Sequence, residues 1–278
     1  MTSPTDRVVV VTGGTRGIGL GLARELLARG CRVVVCGRSA SGVDAAVADL
    51  AGGAGPHRVT GIATDVTSRT DVQALWDHAV ATFGRVDVWI NNAGVSAPRR
   101  PFPEVSEETF SAVVAANLIG VSNGCAVAMT GLQAQPTGGW IWNMEGFGSG
   151  GQKQPGMATY GATKRAVTYL TESLVKESKD SKVKIGFLSP GIVATDLLVD
   201  DYDGQPEAFE KARKIFNILG DRVETVTPWL AEHLLAASKN GARVAWLTTP
   251  KAMGRFMTAG FKKRDIFAAG TAEKEPVA

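Results

Sequence analysis

Tyr160 and Lys164 stand four residues apart in "TYGATK". On a helix that spacing puts a phenol and an ammonium on one face. A free tyrosine ionises near pH ~10, too high for a base at neutral pH, and a neighbouring positive charge favours the phenolate. Such a pair could hand a proton to a reacting oxygen and take it back. By itself the spacing fits a solvated surface pair equally well, so its surroundings must decide. His57, His78 and His233 are scattered, and no metal site suggests itself. Cys31, Cys36 and Cys125 fit no zinc or disulfide framework, which points to a reducing compartment.

The elements that would position the pair follow from the hydrophobic pattern. The chain has 278 residues, 44% hydrophobic and 21% charged, enough to bury a sizeable core. A net charge of +3 is too weak to argue for nucleic acid. The start, "MTSPTDR", shows no apolar signal core, and no apolar run approaches the ~18 residues of a spanning helix. The expected location is cytoplasmic. Seven short apolar, β-branched runs read as strands: 7–13, 32–37, 58–66, 86–94, 139–144, 182–191 and 242–249. Most are separated by helix-like stretches, including a long one at 107–133 and another at about 157–178. Continuous rather than alternating apolar strands imply burial on both faces. The expectation is an α/β fold: a single doubly wound, Rossmann-type domain over 1–278, with a seven-stranded parallel sheet and helices on both faces.

Between the first strand and first helix lies "VTGGTRGIG". Gly13, Gly17 and Gly19 permit a tight turn and a close approach of backbone to a pyrophosphate, with Thr15, Arg16 and Ile18 in the same loop. The helix start adds free N–H groups and a favourable dipole. The second strand ends in Gly37, Arg38 and Ser39, where an acid would bind the ribose of NAD. Arg16 and Arg38 can instead flank a 2′-phosphate, so NADP(H) is the expected cofactor.

"TGGTRGIG" (12–19), "NNAG" (91–94), "YGATK" (160–164) and "PGIVAT" (190–195), in this order and at these separations, resemble the short-chain dehydrogenase/reductase family over about residues 6–248. The resemblance implies roles. Asp65 and Val66 would meet the adenine; Asn92, Ala93 and Gly94 would line the adenosine ribose. Pro190, Gly191, Val193 and Thr195 would hold the nicotinamide carboxamide. Tyr160 becomes the acid/base for a carbonyl/alcohol pair while hydride moves at the nicotinamide. Lys164 would also hold the nicotinamide ribose, and Asn117 would anchor a water that relays protons to it. Family members commonly form dimers or tetramers through their two long helices, so a homodimer or homotetramer is expected.

One family position is missing. The serine that usually orients the substrate oxygen after the fifth strand falls on Gly146, within Asn143-Met144-Glu145-Gly146. Three replacements are open: Ser149 swinging in from the glycine-rich loop, Glu145 as a neutral acid, or a site built from tyrosine, lysine and a backbone N–H. "NMEGFGSGG", "YGATKRAV" and "KKRDIF" also resemble the chlorophyll(ide) b reductase-like branch, whose members reduce a formyl group on a tetrapyrrole with NADPH.

Residues 196–222 should cap the substrate as one or two short helices, with Leu197, Leu198, Phe209 and Phe216 available to line an apolar pocket. The tail, with Phe256, Phe261, Phe267, Lys262, Lys263 and Arg264, could cover its own chain or a neighbouring subunit, or contact a membrane. The expected substrate is a small, largely apolar carbonyl or alcohol. Rival readings are an imine or enone reductase that does without the serine, and a non-catalytic NADPH-binding protein that kept the fold.

Overall fold

The computed structural model describes residues 6–260 and 264–268. Its strands are β1 (Val8–Val11), β2 (Arg32–Gly37), β3 (Val59–Ala63), β4 (Val88–Asn91), β5 (Gly139–Met144), β6 (Val183–Ser189), β7 (Val193–Ala194), β8 (Asp221–Arg222) and β9 (Arg243–Ala245). Its helices are α1 (Gly17–Ala28), α2 (Ala40–Ala54), α3 (Arg69–Phe83), α4 (Glu107–Val114), α5 (Gly120–Ala134), α6 (Ala158–Glu177), α7 (Asp196–Asp200), α8 (Pro206–Leu219), α9 (Val223–Ala236) and α10 (Thr249–Thr258).

Seven strands form one parallel sheet in the order β3-β2-β1-β4-β5-β6-β9, as the pattern of apolar runs required. Alternate side chains along each strand serve opposite faces. Val9 and Val11 join Leu22 and Leu26 of α1 and Leu230 of α9 on one side. Val10 joins Leu75 of α3, Leu132 of α5 and Val167 of α6 on the other. A sheet buried on both faces explains why its strands are apolar throughout. The chain leaves β1 in one direction and returns at β4 on its other side, which opens a crevice at the strands' carboxyl ends.

The stretch expected as one long helix is interrupted. α4 passes into a π-helical turn at Ala115–Ile119 before α5. Counted together, Glu107–Ala134 is 28 residues with a peak mean hydropathy of 1.7, long and apolar enough by composition to cross a membrane. Polar residues interrupt it, so no unbroken apolar run marks it in the sequence. Half of that window is buried in the fold, as in a core helix.

The strands end earlier than their apolar runs. β4 stops at Asn91, because Asn92 turns away: its side-chain amide donates to the carbonyls of Thr12 (2.8 Å) and Gly13 (3.1 Å). Beyond β9, α10 was not anticipated. Thr248 caps it by accepting from the Lys251 N–H at 3.4 Å, and Pro250 sits in its first turn.

Candidate active site

The glycine loop is shaped by close contacts. A Cβ on Gly13 would meet the Ala93 Cα at 2.8 Å, and one on Gly19 would meet the Gly13 carbonyl oxygen at 2.1 Å. Thr12 Oγ1 accepts from the N–H groups of Asn92 (3.0 Å) and Ala93 (3.1 Å), tying the loop to the segment after β4. Thr15 lies over Gly37, and Ile18 packs into the core. Gly17 is left-handed, and a Cβ there would touch the Thr195 side chain at 3.5 Å. Thr195 thus looks across the crevice at the glycine loop.

These features suit a dinucleotide. The α1 start has no side-chain cap and no acid in its first turn, so its free N–H groups remain available to a phosphate. Arg38 is exposed and makes no ion pair with any described residue. Ser39 caps α2 by accepting from the Gly42 N–H at 3.2 Å. Arg16 reaches only Asp196, at 3.9 Å, and both side chains are mostly exposed, so that contact is weak. Asp65 accepts from the N–H (2.9 Å) and hydroxyl (2.8 Å) of Thr67. Val66 lies under Gly120, whose Cβ would be 2.8 Å away. Pro190 is buried, Gly191 is left-handed at φ 74°, and Val193 is buried in the core.

At the carboxyl end of β5 the catalytic candidates converge. Tyr160 and Lys164 occupy the first two turns of α6. The Lys164 ammonium lies 5.6 Å from the centre of the Tyr160 ring and donates to the Met144 carbonyl at 3.2 Å. Burial pushes Lys164 down to about 8, while the Glu145 carboxylate opposes that fall. Burial pushes the Tyr160 phenol up, and the Asp201 carboxylate pushes it further the same way. Desolvation is the largest influence on the phenol, and the Lys164 ammonium is bonded to the Met144 carbonyl.

The missing serine has a steric reason. A Cβ on Gly146 would lie 2.4 Å from the Tyr160 hydroxyl and 3.2 Å from Lys164 Cε. The phenol occupies that space. Ser149 braces the loop: its hydroxyl accepts from the Gly146 N–H at 3.1 Å and donates to the Lys164 carbonyl at 3.4 Å. The same contact occupies the Gly146 N–H, the natural backbone candidate. Glu145 is buried, lies 3.4 Å from the Arg243 guanidinium, and serves as counter-charge to Lys164. Burial raises its own carboxyl, with Arg243 the largest opposing influence.

Asn117 sits in the π-helical turn. Its side chain accepts from the Val95 N–H at 2.8 Å and donates to the Val95 carbonyl (2.8 Å) and Thr163 Oγ1 (3.2 Å). It locks the segment after β4 to α6. π-turns of this kind are frequent at functional sites.

Two buried arrangements leave little mark in the sequence. Asn91 and Asn143 are buried on neighbouring strands and share a hydrogen bond of 2.8 Å; Asn143 also donates to Thr171 of α6 at 2.9 Å. Their strand-end positions in "NNAG" and "WNM" were the available signal. Arg99 and Asp201 face each other at 3.8 Å, and the Arg99 guanidinium lies over the Tyr202 ring at 4.6 Å. Burial pushes Asp201 up to about 6, against Ser96 and Arg99. Asp201 Oδ1 and Ser96 Oγ are buried without an aligned hydrogen-bond partner.

The lid forms as α7 and α8, and most of its large apolar side chains pack it onto the body. Leu198, Phe209 and Phe216 pack with Tyr202, Ile266 and Phe267. The tail's described end thus covers its own lid, while Phe261, Lys262 and Lys263 lie outside the described residues. Among the described residues no group of His, Cys, Asp or Glu could hold a metal ion.

Known proteins agree with this geometry. The sequence profile described as short chain dehydrogenase matches residues 7–205. A chlorophyll(ide) b reductase of Oryza sativa subsp. japonica is 39% identical over 259 residues, covering 90% of this chain and 74% of the relative. A probable chlorophyll(ide) b reductase of Arabidopsis thaliana is 36% identical and covers 92% of this chain; the match spans about half, 54%, of that relative. Among solved structures, levodione reductase superposes with a TM-score of 0.80 at 26% identity, covering 89% of this chain and 98% of its own. With a family profile spanning most of its length, its sheet order and its tyrosine–lysine helix, this chain belongs to the short-chain dehydrogenase/reductase family of nicotinamide-dependent oxidoreductases, on its chlorophyll(ide) b reductase-like branch.

Proposed function

We propose that the protein is an NADPH-dependent carbonyl reductase in which Tyr160 delivers the proton. The observation that carries this reading is the Tyr160 phenol held against Gly146 at the carboxyl end of β5, with the Lys164 ammonium 5.6 Å from its ring centre. A phenol is neutral at neutral pH and enters the reaction as an acid. Bound reduced nicotinamide would supply the hydride. Tyr160 gives its proton to the substrate oxygen, and the phenolate left behind faces the Lys164 ammonium. Arg38, exposed and without an ion pair among the described residues, and the uncapped start of α1 support a cofactor carrying a 2′-phosphate.

The likeness to chlorophyll(ide) b reductases makes chlorophyll(ide) b the first substrate to try, beside simple aldehydes and ketones. The test follows absorbance of the reduced cofactor and identifies the product. Tyr160→Phe should lose at least ~100-fold in turnover while binding NADPH as tightly as the unaltered protein. Full turnover in that variant would end the assignment.

A further inference from the structure

A cavity of about 760 Å³ lies between the segment after β4, the loop before α6, and the lid. That volume suits a drug-sized molecule. Tyr160 does not itself line the cavity. The reacting end of the site lies near its wall at Tyr202, which follows Asp201, whose charge acts on the Tyr160 phenol.

The lining is apolar with an unbalanced charge. Pro101, Phe102, Pro155 and Tyr202 supply apolar surface, and Phe102 is 59% exposed. Three cations line the cavity and no acid does. Arg99 is committed to Asp201 and to the Tyr202 ring. Arg100, from the segment after β4, and Lys211, from α8, are exposed and make no ion pair with any described residue. Two free cations on separate walls of an apolar cavity select for an anion on the occupant, and an arginine fork fits a planar carboxylate.

Resting on the carbonyl-reductase reading, we propose that the substrate is an apolar carbonyl compound that also carries a carboxylate. Its carbonyl meets Tyr160, and its carboxylate meets Arg100 and Lys211. Both cations are solvent-exposed, so the preference is moderate and sensitive to salt.

The test uses 6-formyl-2-naphthoic acid and its methyl ester as substrates, and 2-naphthoic acid and its methyl ester as non-reducible ligands, titrated by calorimetry. The unaltered protein should favour the acid about 10-fold in kcat/KM and in binding, and less so at high salt. The double variant Arg100→Ala/Lys211→Ala should remove that preference by raising KM for the acid while leaving the ester unchanged. Equal handling of acid and ester by the unaltered protein, or a double variant that slows both alike, overturns the proposal. Preferential binding of the acid without reduction of either aldehyde would sink the reductase reading and retain the anion seat.

Discussion

Gly146 and the Tyr160 hydroxyl compete for one volume. A side chain at 146 would start 2.4 Å from the phenol oxygen, so a serine there fits only if the phenol moves. Gly146→Ser should therefore lower kcat at least ~10-fold and reduce stability by about 1–3 kcal/mol, the usual penalty for overpacking. An enzyme made faster by that serine would show that the phenol shifts freely and that the steric argument is wrong. The lysine makes a second, titratable claim. With Lys164 near 8, kcat/KM for reduction should fall as pH rises through about 8. Glu145→Gln removes the counter-charge and should move that limb to lower pH; a limb that stays in place would exclude Glu145 from the pair. Stability has the opposite slope. Between about 8 and 10.5 the folded chain binds fewer protons at Lys164 than the unfolded chain, so this group's contribution to stability rises with pH there.

Elements bring these residues together by their ends. The β2–α2 junction presents an exposed Arg38, with no ion pair among the described residues, beside the capped start of α2. Arg38→Asp should turn the NADPH/NADH preference in kcat/KM toward NADH by at least ~10-fold, through loss of attraction and added repulsion. An unaltered cofactor ratio would remove Arg38 from the 2′-phosphate. The lid is joined to the segment after β4 through main chain: the Arg99 N–H donates to the Asp201 carbonyl at 2.9 Å, and the Gln205 side chain donates to the Arg99 carbonyl at 2.9 Å. Contacts between segments so distant in sequence leave no local pattern, so neither residue stood out beforehand. The π-turn at Asn117 was unreadable for the same reason. Its asparagine bonds to Val95, a partner chosen by the fold and not by helical periodicity.

Across the whole molecule, Asp221 joins the end of the lid to α10 and the tail. It is 1% exposed and accepts from Arg255 (2.7 and 3.1 Å), Trp246 (2.6 Å) and Arg264. Asp221→Asn should cost about 3–5 kcal/mol in denaturant unfolding, because it leaves two largely buried guanidiniums without their charge partner. An unchanged midpoint would show that the cluster does not hold the tail. By itself the sequence determined the βα alternation, the parallel sheet, the glycine loop and the Tyr160–Lys164 face, because each is written in a short-range period or spacing. Only the tertiary structure decided that a side chain at Gly146 would meet the Tyr160 phenol, that Ser149 braces a loop, and that Lys164 is flanked by a buried acid. Desolvation and excluded volume depend on neighbours from every part of the chain, and no local stretch of sequence encodes them.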